Sequence, residues 1–93
     1  MTIGVRKLKQ EVKDLASEIG VNAKEIHVRK MKRKWASCSS KGRLTFSTDL
    51  LNQPEDFRRK AMVHELLHMR YPNHGKMFNL LLVSYSQKNE GGF

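Results

Sequence analysis

His64-Glu65-Leu66-Leu67-His68 decides the reading of this chain. In a helix, residues four apart stand one turn apart on the same side. The imidazoles of His64 and His68 then converge on one ion, in the HExxH arrangement. Glu65 lies one step round the helix, where its carboxylate acts on a bound water instead of ligating. A catalytic zinc site usually has three protein ligands and one open position. His74, six residues past His68, is the third candidate. Pro72 pushes residue 71 off helical angles, and a turn through Asn73 would bring His74 back under the ion. The spacing equals that of HExxHxxGxxH enzymes, with Tyr71 in place of their glycine. Three of the four histidines of the chain fall in this window. The bland reading takes His64 and His68 as ordinary helix histidines and His74 as a surface turn residue; a metal site used only for structure would leave Glu65 idle.

Working outward, a helix start is written at Asn52-Gln53-Pro54-Glu55. Asn52 or Gln53 suits the cap, Pro54 the first turn, and Glu55 and Asp56 the positive helix end. This helix is expected to run to Met69 or Arg70. A last helix follows from about Gly75 to Gln87, with Phe78, Leu81, Leu82 and Tyr85 on one face. The tail, Lys88 to Phe93, is expected to be mobile, as chain ends usually are.

Upstream, Leu8, Val12, Leu15 and Ile19 recur at helical spacing and predict a helix over Val5 to Ile19. Gly20 is a natural stop. Ile26 and Val28 alternate with His27 and Arg29, which predicts a strand near 25–34. His27 falls on the opposite face and is expected in solvent. The polar stretch Ser37 to Gly42 reads as a long connection. Leu44 and Phe46 then alternate with polar residues, which gives a second strand antiparallel to the first. A short third strand is expected near Asp49 and Leu50.

The composition bounds the class. Ninety-three residues, 39% of them hydrophobic, suit one globular domain. No apolar run approaches the roughly 20 residues of a membrane helix, and no signal peptide is visible. The lone Cys38 excludes a disulfide framework within the chain. A cytoplasmic location and a monomer are the expectation. The net charge is +9, concentrated in the first half. Within 29–34, RKMKRK, every residue except Met31 is basic. Such a run is either a footprint for nonspecific nucleic-acid binding or a solvated face.

With these residues placed, the chain resembles the YgjP-like and WLM group of small zinc metallopeptidases, which are related to SprT-type proteins. The resemblance is carried by KMKRKWASCSSKGRLTFSTDLL at 30–51 and HELLHMRYPNHGKMF at 64–78. Trp35, Ser37 and Cys38 match the family's first segment, with Ala36 where glycine is common. Asn73, His74, Gly75 and Phe78 match its last. The resemblance implies His64, His68 and His74 as zinc ligands and Glu65 as base. In size the chain is similar to the minimal archaeal enzymes called minigluzincins, which are described as latent through a carboxy-terminal segment.

The expected fold is α+β, a zincin-like minimal core with an N-terminal helix, a small antiparallel sheet, an HExxH helix and a C-terminal helix, in one catalytic domain over 1–93. The expected function is that of a zinc-dependent endopeptidase hydrolysing a peptide or unfolded protein; for the tail two readings stand, a frayed terminus and a segment that covers the cleft and keeps the enzyme latent. The alternative is a zinc-stabilised nucleic-acid-binding module without hydrolytic activity. Three secondary assignments go with the main reading. Tyr71 or Tyr85 would stabilise the tetrahedral oxygen. The strand at Leu44 to Ser47 would receive substrate along its edge. Trp35 and Phe78 are expected in the core, as is Cys38, a small buried hydrophobe, in preference to a zinc neighbour.

Overall fold

The computed structural model describes residues 2–39 and 41–86. The tail from Lys88 to Phe93 lies outside them. The first helix, α1, spans Val5–Ile19, with Leu8, Val12, Leu15, Ala16 and Ile19 buried along one stripe. Gly20 closes it in the left-handed conformation at φ 86°, its N–H donating to the Ala16 carbonyl, because a side chain there would be strained.

Three strands follow, β1 at Glu25–Arg29, β2 at Ala36–Cys38 and β3 at Arg43–Ser47. They form one sheet in the order β1-β3-β2. β3 is therefore central, and both its large apolar side chains, Leu44 and Phe46, are fully buried. β1 runs parallel to β3, with Ile26 opposite Leu44 and Val28 opposite Phe46. β2 runs antiparallel, with Ala36 opposite Phe46 and Cys38 opposite Leu44.

The sheet is thus mixed, not antiparallel, and three expectations change with it. The first strand stops at Arg29, and its partner runs parallel because the connection is long enough to cross over. Part of the expected polar connection, Ala36 to Cys38, is itself a strand. Its hairpin to β3 turns at Gly42, at φ 88°, and is clasped by Ser39. The Ser39 hydroxyl accepts from the backbone N–H groups of Lys41 and Arg43 at 3.3 and 3.2 Å. The expected third strand at Asp49 and Leu50 is instead a 3-10 helix over Thr48–Asn52. Ser47 caps it, its hydroxyl accepting from Asp49 N–H, so local side-chain bonding turns the backbone away from the sheet.

Helix α2 spans Glu55–His68, with Pro54 at its cap and Glu55 and Asp56 in its first turn. Met62, Val63, Leu66 and Leu67 face the core, where α2 meets α1, β2 and the last helix, α3 (Lys76–Ser86). Arg58 ties α2 to α1. Its guanidinium donates twice to the Glu11 carboxylate, at 2.8 and 3.1 Å, and once to the Gln53 carbonyl at 2.8 Å. Arg59 donates to the Tyr85 carbonyl at 2.7 Å and so fixes the end of α3 against α2. Among the described residues no helix is long and apolar enough to cross a membrane.

Candidate active site

The last two turns of α2 carry His64, Glu65 and His68. Tyr71 N–H donates to the Leu67 carbonyl at 2.7 Å and closes the helix. The chain then passes Pro72 and turns at Asn73, whose backbone carbonyl accepts from Gly75 N–H at 2.9 Å. This turn, built on backbone bonding, returns His74 to the helix. His74 Nε2 lies 2.8 Å from His68 Nε2, and the donor atoms of His64, His68 and His74 all lie within 4.8 Å of one another. The three histidines expected from spacing alone are brought together.

Phe78, in the first turn of α3, forms the floor of the cluster. Its ring centroid lies 5.4, 4.9 and 4.6 Å from those of His64, His68 and His74, and the residue is 1% exposed. One apolar ring thereby limits where all three imidazoles can sit.

The donor set fits zinc. Zinc–nitrogen bonds of roughly 2.0–2.1 Å at tetrahedral angles place ligand nitrogens roughly 3.3 Å apart. The closest pair, at 2.8 Å, needs to open by about half an ångström and the widest, within 4.8 Å, to close by at most about 1.5 Å, and His74 is exposed enough to move. Burial and the neighbouring His64 and His74 push the His68 imidazole below its ordinary value, against the pull of Glu65 and a hydrogen bond with the Tyr71 backbone. A neutral ring is the form that binds a metal.

Glu65 stands outside the cluster of donor atoms. Its side chain is 15% exposed, with one carboxylate oxygen 3.1 Å from His64 Nδ1. It opens on a cleft of about 580 Å³ between α2 and β2, lined by Lys34, Ala36, Ser37, Cys38, His68 and Pro72 among others. Cys38 is a wall of this cleft and no part of the histidine cluster. Burial first, and then the charge of Glu65, push its thiol up, so it stays protonated.

His27 lies elsewhere, 2.9 Å from Glu25 at the exposed face of β1. Neither Tyr71 nor Tyr85 lines the cleft; both pack against the core. The cation that does line it is Lys34, which sequence reasoning had left within the basic run. Trp35, expected in the core, is 41% exposed and packs edge-on against Phe57, with ring centroids 5.0 Å apart.

The YgjP-like family, a metallopeptidase domain, matches residues 4–89. The chain belongs to this family. Among solved structures, this YgjP-like chain is similar to the metallopeptidase zymogen jannalysin of Methanocaldococcus jannaschii. The two are 29% identical over 90% of this chain and 86% of that one, with a TM-score of 0.76. It shares its fold with the metallopeptidase zymogen abylysin of Pyrococcus abyssi at 22% identity, covering 81% of this chain and 75% of that one, with a TM-score of 0.71. No curated protein matches. The YgjP-like assignment and the three-histidine cluster together make the chain a zinc-dependent metallopeptidase of zincin-like fold.

Proposed function

We propose that His64, His68 and His74 hold the zinc, that Glu65 is the general base, and that the enzyme is an endopeptidase for extended peptides or unfolded protein. The observation that carries the reading is the juxtaposition of the three converging imidazoles with a carboxylate that faces the cleft without joining them.

When bound, zinc supplies Lewis-acid polarisation of a water and of the scissile carbonyl. The remaining work falls to side chains of this chain. Glu65 takes a proton from the attacking water and returns it to the leaving amine. Phe78 and the Asn73 turn hold the imidazoles in place, so the site is organised before substrate arrives. The substrate backbone adds as a strand to β2, whose outer edge forms one wall of the cleft. The strand expected for this role, at Leu44 to Ser47, is the central β3 and has both edges paired. Lys34 stands in the cleft as a cation for the developing negative oxygen, a place that neither tyrosine occupies.

The test is Glu65→Gln. This variant, compared with the wild-type residue both in the full chain and in a chain ending at Gln87, should keep zinc and fold yet lose hydrolysis of an unfolded protein by at least about 100-fold, within the range attributed to general base catalysis. Cleavage at the wild-type rate would remove Glu65 from the mechanism.

Latency through the tail, Lys88 to Phe93, is part of the same proposal and is supported by the zymogen state of jannalysin. Action as a monomer in the cytoplasm also belongs to it, and a lone cysteine suits a reducing compartment.

A further inference from the structure

The basic run 29–34, RKMKRK, ends at Trp35. It carries the chain from β1 to β2 and bends at Lys32, Arg33 and Trp35. There it borders a notch of about 170 Å³, lined by the segment from Met31 to Trp35 and by Ser47 and Asp49. All five cations of the run are exposed, and among the described residues none of them forms an ion pair with a carboxylate. Like charges held this close on one short segment repel one another, and a bound polyanion relieves the repulsion.

Trp35 adds what a solvated charged face does not need. Its indole is 41% exposed. Its contact with Phe57 is edge-to-face, at an interplanar angle of 76°, so the two rings do not stack on each other. The backbone beneath it is held, since Ser47 N–H donates to the Trp35 carbonyl at 2.8 Å. A fixed aromatic plane beside a row of cations is what a single strand of nucleic acid uses: the cations follow its backbone and the ring stacks a base. The notch is well under the roughly 300 Å³ of a pocket for a whole ligand, which suits one planar base. Asp49 sets the orientation. Its carboxylate repels phosphate and accepts from base N–H groups, so the backbone lies toward Lys32 and Arg33 and the base toward Trp35.

We propose that this notch binds a single strand of nucleic acid, with phosphates on Lys32 and Arg33 and one base stacked on Trp35. Phosphate contacts alone carry no such preference and serve duplex and single strand alike. In a duplex each base is already stacked on its neighbours, so the indole is what selects the single strand. An acidic peptide satisfies the cations but leaves the indole uncovered. The site is separate from the peptidase reading, because none of Lys32, Arg33 and Trp35 lines the catalytic cleft.

Trp35 is the only tryptophan of the chain, so a stacked base should quench its emission. The experiment titrates the zinc-loaded full chain at 50 mM salt with four probes of equal length: oligothymidylate, oligouridylate, an abasic strand with the same phosphates, and a blunt duplex. Oligothymidylate should quench Trp35 and bind about fivefold or more tighter than the abasic strand, the loss expected for one stacked base. Oligouridylate should bind like oligothymidylate, since base face and phosphate are common to both. Trp35→Ala should remove the advantage over the abasic strand, and Trp35→Phe should restore most of it. Lys32→Gln with Arg33→Gln should weaken the thymidine and abasic strands alike and lower the single-strand salt slope by about 1.4. Equal affinity for the thymidine and abasic strands overturns the stacking site on the wild-type protein alone, whatever the Trp35 variants do to folding. Tighter binding of the duplex, binding confined to the uridine strand, or no binding of any probe at 50 mM salt overturns it as well. Each of these results leaves the peptidase reading untouched.

Discussion

His74 Nε2 faces His68 Nε2 across 2.8 Å, although the two residues belong to different segments of the chain. Two imidazole nitrogens that close both have lone pairs unless one carries a proton, and a shared cation satisfies both. The protein should therefore bind about one zinc per chain. His74→Ala should weaken binding by 10-fold or more, and His64→Ala likewise, in a chelator competition. Tight zinc retained in full by both variants would rule out the site as drawn.

Zinc removal should also loosen the fold, because a small domain gains from any ligand that binds only its native state. Zinc at a hundred times its dissociation constant adds about 2.7 kcal/mol. For a domain of this size that is a rise in Tm of about 10 °C or more. Thermal melts with and without chelator measure it, and an unchanged Tm would mean that zinc does not bind the native state in preference to the unfolded chain.

Phe78 couples the metal site to the core, being buried beneath all three imidazoles. Phe78→Ala should cost about 3–5 kcal/mol, as for buried phenylalanines generally, and should weaken zinc binding as well. Phe78→Leu should restore most of the stability but less of the zinc affinity, since leucine fills volume without a flat face. Equal zinc affinity in all three proteins would show that the floor does not position the ligands.

Arg58 and Glu11 form the other buried polar link, with side chains 7% and 20% exposed. The hydrogen bonds to Glu11, ahead of the opposing effect of burial, push the Arg58 guanidinium further up, so it is charged at all working pH values. Glu11→Gln should destabilise by about 3 kcal/mol, the low end for breaking a buried pair. Arg58→Met with Glu11→Leu should recover much of that loss, as replacing both partners by apolar groups often does. Denaturant melts of the single and double variants would check both outcomes.

The residues that could be read from sequence are those governed by helical period. Leu8, Val12, Leu15 and Ile19 gave α1 its observed limits, and α2 and α3 fall within a residue or two of expectation. The same period joined His64 to His68. The sheet was less legible because alternation at Ile26 and Val28 shows which way side chains point but not which way a partner strand runs. β2 escaped because Ser37 and Cys38 have little strand preference of their own; their place comes from pairing with Thr45 and Leu44. Trp35 was misplaced for a related reason. Size and hydrophobicity argue for the core, yet its position just before an edge strand leaves it beside the cleft.

Latency gives a further expectation, resting on the zymogen relatives and not on the described residues. A chain ending at Gln87, zinc-loaded and shown to be folded, should cleave unfolded protein faster than the full chain. Equal rates would exclude inhibition by Lys88 to Phe93 while leaving the peptidase assignment intact.

Arg29, Lys30, Lys32, Arg33 and Lys34 are all exposed, at the end of β1 and in the connection to β2, and this run leads directly into the cleft at Lys34. Five exposed cations on so short a segment can neutralise at most about five phosphates. If they bind duplex DNA, the logarithm of affinity should fall against the logarithm of salt with a slope of about −4.5. Raising salt from 50 to 200 mM would then cost roughly 500-fold in affinity. Replacing Lys32 and Arg33 with glutamine should lower the slope by about 2, uniformly across DNA sequences, because phosphate contacts carry no base information. Peptide hydrolysis should persist in that variant, since neither residue lines the cleft. Titrations of labelled DNA at the two salt concentrations measure the slope directly. Absence of binding at 50 mM would leave the basic run as a solvated face, and salt-insensitive binding would place the contact elsewhere on the protein.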